Sequence, residues 1–387
     1  GNIAIEQEGG GHQIRVNRFS SANTWLYRDA GIGLSENFRV ERKGPYNFGI
    51  IPAKAFWAKY PTMLEGLGTQ EDPYLITTET EFHAIGTENY GYDKNYLLCA
   101  DMTAAVPCAG PFTGSFDGGG KTVTLNIDTE SAQELTGGKL GLFSVLNGAT
   151  VRNMVIDGVL YALGSDGTYA GAVAGQAYNS TIQTVASHAL ILIGSGGSGW
   201  AGGIAGQAFN LTVEDSYSTG DIIAIAGNGA YAGGIIGSAG DSSSGSSITI
   251  NRCFASGGIH AESRGAGAYS GGVLSLINSA IATTGAINNC AALNSGITTT
   301  GSGDFSRGRI VNIASSVQLS NNYANSGMSF DPAYVPLSNS SGPDGAGVAI
   351  EATRMQSWWT GTLRWAFGTN SNAPWSWGEA RPKLWFE

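Results

Sequence analysis

A short glycine box recurs along this chain, at Gly171-Ala-Val-Ala-Gly175, Gly202-Gly-Ile-Ala-Gly206, Gly233-Gly-Ile-Ile-Gly237 and Gly271-Gly-Val-Leu-Ser275. A second marker keeps step with it: Thr181-Ile-Gln, Thr212-Val-Glu, Thr249-Ile-Asn and Ala286-Ile-Asn, extended upstream by Thr150-Val-Arg and downstream by Gln318-Leu-Ser. Successive second markers lie 31, 31, 37, 37 and 32 residues apart. Two markers in step at such a period mean stacked structural repeats. Helical solenoids share the period, but the content here excludes them. The chain carries 59 glycines in 387 residues, and each glycine inside a helix costs about 1 kcal/mol relative to alanine. Each repeat instead holds short β-favouring runs, such as Ala189-Leu-Ile-Leu-Ile193 and Asp221-Ile-Ile-Ala-Ile225, between Gly, Ser and Asn.

Coils of this kind stack at about 4.8 Å, so that each strand pairs in parallel with its counterpart one repeat away. The spacing therefore predicts an all-β, right-handed parallel β-helix, with the variable length held in loops. Less regular coils are expected upstream at Tyr74-Leu-Ile, Tyr96-Leu-Leu, Thr122-Val-Thr-Leu and Leu140-Gly-Leu-Phe143. The box glycines serve either positive φ or a close approach of backbones.

A solenoid needs its open ends covered. Residues 1–60 are expected to form a small β-rich region, with strands near 12–19 and 37–41. A short helix over 53–60 would turn Phe56, Trp57 and Tyr60 onto the first coil. The β-helix itself is expected over 61–326. Residues 327–387 form a cap, in which Trp358, Trp359, Trp365, Trp375, Trp377 and Trp385 plug the far end.

At these residues a resemblance emerges. Gly68-Thr-Gln-Glu-Asp-Pro-Tyr-Leu-Ile76, then Phe112-Thr-Gly-Ser-Phe-Asp-Gly-Gly-Gly-Lys-Thr122, then Gly141-Leu-Phe143 and the boxes, resemble the GLUG-motif β-helix proteins. The ending Trp375-Ser-Trp-Gly-Glu-Ala-Arg-Pro-Lys-Leu-Trp385 is similar to the closing segment of that group. The resemblance spans roughly residues 66 to 387 and departs from the pattern at Ser275 and around 307–312, where glycines are lost. It implies a bacterial cell-surface protein of the adhesin-like kind found among gut Bacteroidales. The same repeat occurs in immunoglobulin-A-cleaving metallopeptidases with a His-Glu-x-x-His zinc site. No such motif is present in this sequence.

Chemistry is sparse. Formal net charge is −10, and only 13% of residues are charged, against about 25% in ordinary soluble proteins. That balance disfavours nucleic acid and anionic membrane as partners, and no apolar run is long enough to span a bilayer. His12, His83, His188 and His260 lie far apart, none at metal-ligand spacing. Gly194-Ser-Gly-Gly-Ser-Gly199 and Gly118-Gly-Gly-Lys121 imitate nucleotide-binding loops, but no helix is expected after either. Asp157, Asp166, Asp215, Asp221 and Asp304 could gather on one face if the coils aligned them, while Arg152, Arg252 and Arg264 are too few for an acidic-polysaccharide groove. No catalytic residue, metal or cofactor is therefore expected.

Two columns carry the remaining information. Tyr169, Trp200, Tyr231 and Tyr269 each stand two residues before a box, with Tyr178 and Phe209 as a shorter second series. Facing out, the first column would make an aromatic binding ridge; facing in or packing on a turn, the favoured expectation, it would be an internal stack. Ser216, Cys253, Cys290 and Asn322 form the other column, read as inward, with Cys253 and Cys290 as neighbouring reduced thiols. The pairing of Cys99 with Cys108 is left open. A secretory signal is expected to have preceded Gly1. Taken together, these features predict a monomeric, non-enzymatic protein of the cell surface or extracellular space, binding host or microbial glycan or surface protein along its flank. A carbohydrate-active enzyme with a groove on the coil is the alternative.

Overall fold

The computed structural model describes residues 64–129, 138–240, 246–277, 283–312, 317–370 and 372–387, together with the backbone of four strands nearer the start. Those strands form two antiparallel pairs, Ile3–Glu8 with Gly11–Val16 and Phe38–Gly44 with Asn47–Pro52. The helix expected over 53–60 lies outside the described residues.

From Tyr74 to Val348 the described chain is a parallel β-helix. Its strands make one sheet of six and one of 24. The larger arises because long strands such as Thr150–Gly164 and Ala174–Ser187 run around a corner and join two faces of the coil. The registers are those the markers predict. Thr150, Thr181, Thr212, Thr249, Ala286 and Gln318 lie one beneath another. Gly171, Gly202, Gly233, Gly271 and Gly308 do the same on the six-stranded sheet.

Alternation along each strand sends one set of side chains inward, where like residues stack. Val151, Ile182, Val213, Ile250 and Ile287 form one buried column, and Leu160, Ile191, Ile222, Ile259 and Ile297 another. Each such side chain contributes about 1.5–3 kcal/mol on full burial. Ser216, Cys253, Cys290 and Asn322 are inward and fully buried, and both cysteines are free. Burial pushes the Cys253 thiol well up, with the neighbouring Cys290 adding to the effect. Cys99 is exposed and Cys108 buried, both free.

Two devices turn the chain. At one corner, six successive coils place a non-glycine residue in the left-handed region: Asn153, Thr184, Asp215, Arg252, Asn289 and Asn321, with φ between 48° and 57°. Asn and Asp tolerate this conformation, and their side chains bond along the stack. Asn321 Nδ2 donates to Asn289 Oδ1 at 2.8 Å, and Asn289 Nδ2 to Asn251 Oδ1 at 3.2 Å. At the box the reason for glycine is space. A Cβ on Gly202 would lie 2.0 Å from the Ala205 carbonyl oxygen and 2.6 Å from the Gly237 amide nitrogen of the next coil. Close approach, not positive φ, is what the first glycine of the box provides. Where Ser275 replaces the last glycine, its hydroxyl is buried and donates to the Gly237 carbonyl.

At the N-terminal end of the described coils, the one-turn helix Glu79–Phe82, closed by a Thr78/Glu81 capping box, drives Phe82 into a buried cluster. There it packs against Phe116 and Phe143, and Phe112 stacks on Phe143. The C-terminal tryptophans do something other than plug the last coil. Trp359, Trp365 and Trp375 lie along the flank, over Ala186, Tyr217, Phe254 and Ala291 of successive coils. The segment starts beside Tyr323 through Trp358 and runs back until Phe386 sits over Gly120. The physical reason lies in the alternation. The residue after each inward Ser216 or Cys253 points outward, and there Tyr217 and Phe254 form an apolar stripe that needs cover.

Candidate functional site

Each ring of the first aromatic column sits on a short strand of the six-stranded sheet, between two buried neighbours. Ala170, Ala201, Ala232 and Ser270 point inward, so Tyr169, Trp200, Tyr231 and Tyr269 point outward and are half-exposed. The expectation of inward packing is thus corrected. This edge of the coil has room inside only for small side chains.

The rings are in register and stack face to face. Centroids are 4.3, 5.3 and 5.1 Å apart, with planes inclined by 6°, 2° and 11°. Each contact adds about 0.5–1.5 kcal/mol beyond its buried area. The geometry also decides what the column can offer. Inner ring faces are covered by neighbouring rings, so a ligand meets ring edges, the Tyr hydroxyls and the Trp200 indole N–H. Burial pushes the Tyr169 hydroxyl up, and burial together with Tyr269 pushes up that of Tyr231. Both stay neutral donors at ordinary pH. Lys139 stands in register beyond Tyr169, and Ser306 beyond Tyr269.

The second column is shorter and tied down. Tyr178 and Phe209 stack at 4.7 Å and 1°. The Tyr178 hydroxyl donates to Gln176 Oε1 at 3.1 Å, and Gln176 Nε2 to Gln207 Oε1 at 2.7 Å.

Around the corner from the first column, an open groove of about 710 Å³ runs over Leu163, Leu192 and Ile225, with Tyr161 on one side and Arg264 at one end. The sequence reading passed over this face, although alternating Leu and Ile in Leu190–Ser195 and Ile222–Ala226 were its signal.

The carboxylates do not gather. Asp157, Asp166 and Asp221 are exposed and lie apart, the first two at different places on one coil and Asp221 two coils further on. Asp215 is buried, bonded to Arg252 at 2.6 Å and receiving the Trp375 indole N–H at 3.1 Å. The side chain of Asp304 lies outside the described residues. Arg152 pairs with Asp117 at 2.9 Å. Among the described residues no three His, Cys, Asp or Glu groups converge as a metal set, and no helix is long and apolar enough to cross a membrane.

One polar cluster was not foreseen. The Tyr217 hydroxyl donates to Glu387 Oε1 at 2.6 Å, His188 Nε2 approaches the same oxygen at 3.8 Å, and Arg381 lies 5.7 Å from the Tyr217 ring centre. Thr219 engages the other His188 nitrogen at 2.6 Å. Tyr217 is fully buried beneath the C-terminal segment. The cluster fastens that segment to the coil.

No family model matches this chain, and no curated protein matches it. Among solved structures it is similar to a "putative immunoglobulin A1 protease" from Bacteroides ovatus, at 20% identity and a TM-score of 0.59, covering 84% of this chain and 95% of the other. That likeness is one of fold.

Proposed function

We propose that this chain is a non-catalytic, adhesin-like binding protein of the bacterial surface or extracellular space. In this reading the outward row of Tyr169, Trp200, Tyr231 and Tyr269 takes a host or microbial glycan, or a surface protein, along the axis of the coil. The observation that carries it is the half-exposed stack of three tyrosines and one tryptophan, whose ring centres repeat at 4.3–5.3 Å on a rigid support. Such a row costs little conformational entropy to hold and suits a ligand that is itself repetitive. Coils stacked over 61–326 act as the spacer, with residues 1–60 a separate small region.

The test is a glycan and matrix-protein binding array on the purified chain and on Trp200→Ala/Tyr231→Ala. Loss of a ligand with unchanged far-ultraviolet circular dichroism supports the reading. Unchanged binding by a folded variant refutes it.

The Bacteroides ovatus protein raises a second reading, cleavage of immunoglobulin A1. Its weak point here is geometry: the His–Tyr–Glu grouping described above is the fastening of the C-terminal segment itself, with Glu387 supplied by that segment and Tyr217 fully buried beneath it. Incubation with immunoglobulin A1, followed by mass spectrometry of the products, separates the two readings.

A further inference from the structure

The groove belongs to a wider apolar face. Val159 and Leu163 are 43% and 45% exposed, and Tyr161, Leu192, Ile223 and Ile225 are half-exposed beside them. In register, Tyr161 is followed by Leu192, Ile223 and His260, and Leu163 by Gly194, Ile225 and Glu262. Three rungs are apolar, and the fourth, where His260 and Glu262 lie 3.6 Å apart, bounds the patch.

The edge of this face has a charge pattern. Gly164, Ser195, Ala226 and Ser263 are register partners, so the next residues, Ser165, Gly196, Gly227 and Arg264, follow one another down the corner. Asp166 stands one residue beyond Ser165. Exposed Asp166 and exposed Arg264 therefore mark opposite ends of one edge, three rungs or about 14 Å apart, and between them stand Gly196, Gly197 and Gly227, with Asn228 the exposed uncharged side chain. Neither side chain has an ion-pair partner among the described residues.

We propose that two copies of this chain meet here, antiparallel, about a two-fold axis lying in the interface along the strand direction. That operation reverses the order of rungs. It sets Arg264 of each copy opposite Asp166 of the other, Leu192 against Ile223, and Tyr161 against His260. An isologous contact requires such a self-complementary pattern. The chain's net charge of −10 argues against lipid headgroups, and the face offers few of the donors and acceptors a glycan needs.

Size sets the strength. The patch is about 14 Å by 16 Å, well below the roughly 800 Å² per partner of a standard stable complex. The dimer is therefore weak and concentration-dependent. It leaves the ring row on the adjoining sheet open, so it neither needs nor blocks the binding proposed above.

Sedimentation velocity of the full chain at low ionic strength, from roughly 10 µM to 1 mM, tests it. The expected result is a mass rising toward twice that of the chain. Leu192→Asp abolishes the rise, as do Asp166→Arg and Arg264→Asp singly, whereas the double reversal Asp166→Arg/Arg264→Asp restores it. A monomer throughout the range overturns the proposal, as does a dimer indifferent to Leu192→Asp or to the single reversals. Should Leu192→Asp fail to fold, the exposed charge pair alone decides.

Discussion

Gly202 offers the most direct test of how the coils are held at their spacing. Its virtual Cβ meets the Ala205 carbonyl oxygen at 2.0 Å within its own turn and the Gly237 amide nitrogen at 2.6 Å in the next coil. Both neighbours are backbone, so no side chain can swing aside. An ordinary contact requires shifts of roughly 1 Å. The turn is held by backbone bonds from Ile204 N and Ala205 N to Ile235 O, at 2.9 and 3.2 Å, and from Val173 N to Ile204 O at 3.0 Å. Movement on that scale loosens all three, at about 0.5–1.5 kcal/mol each. Gly202→Ala is therefore expected to cost about 2–4 kcal/mol. The control is Gly148→Ala. There φ is +76° and nothing lies within 4 Å of the added Cβ, so only the left-handed conformation is penalised, at about 1–2 kcal/mol. Urea unfolding followed by circular dichroism gives both values, and amide exchange locates the weakened coils. If Gly202→Ala proves no more costly than Gly148→Ala, crowding is not why the box is glycine.

Three further outcomes are expected. Burial alone would raise the Glu387 carboxyl, but His188, the Tyr217 hydroxyl and the Leu384 amide outweigh it and hold it below the usual carboxylate range. The docking of the C-terminal segment is then fully stabilised above the ordinary glutamate range and weakens as pH falls out of that range and through the lower folded value. Amide exchange over 375–387 against pH measures this, and Glu387→Gln should flatten the dependence. Thr184, a β-branched residue at φ 57°, is strained where its column favours Asn, and Thr184→Asn should raise stability by about 1 kcal/mol in thermal unfolding. Finally, of four free cysteines one is exposed and three are buried. A thiol reagent should modify Cys99 in the native protein and reach Cys108, Cys253 and Cys290 only on unfolding.

The fold was legible because its information is periodic. Thr150, Thr181 and Thr212 advertise a register that any parallel stack must respect, and Cys253 above Cys290 follows from the same count. Direction is harder to read. The outward turn of Trp200 was written in its neighbours, since small residues (Gly, Ala, Ser or Thr) flank every ring of that column and take the inward positions. Alternation carried the signal, and a column taken alone does not reveal it. The position of the tryptophans was hidden for another reason. Trp375 meets Asp215 across a separation of 160 residues, and no local pattern specifies such a contact. What could have indicated it is the outward placement of Tyr217 and Phe254, two apolar rings with nothing nearby in sequence to shield them.

A pile of coils that touch only their immediate neighbours can fray from either end, one layer at a time. The C-terminal segment changes that arithmetic. By gripping Tyr323 at one extremity and reaching Gly120 at the other, it acts as a splint laid along the stack. Peeling the last layer then means tearing tryptophans from layers much higher up. The rod should consequently lose structure as one unit, and withstand a pull along its length better than a bare solenoid of equal size.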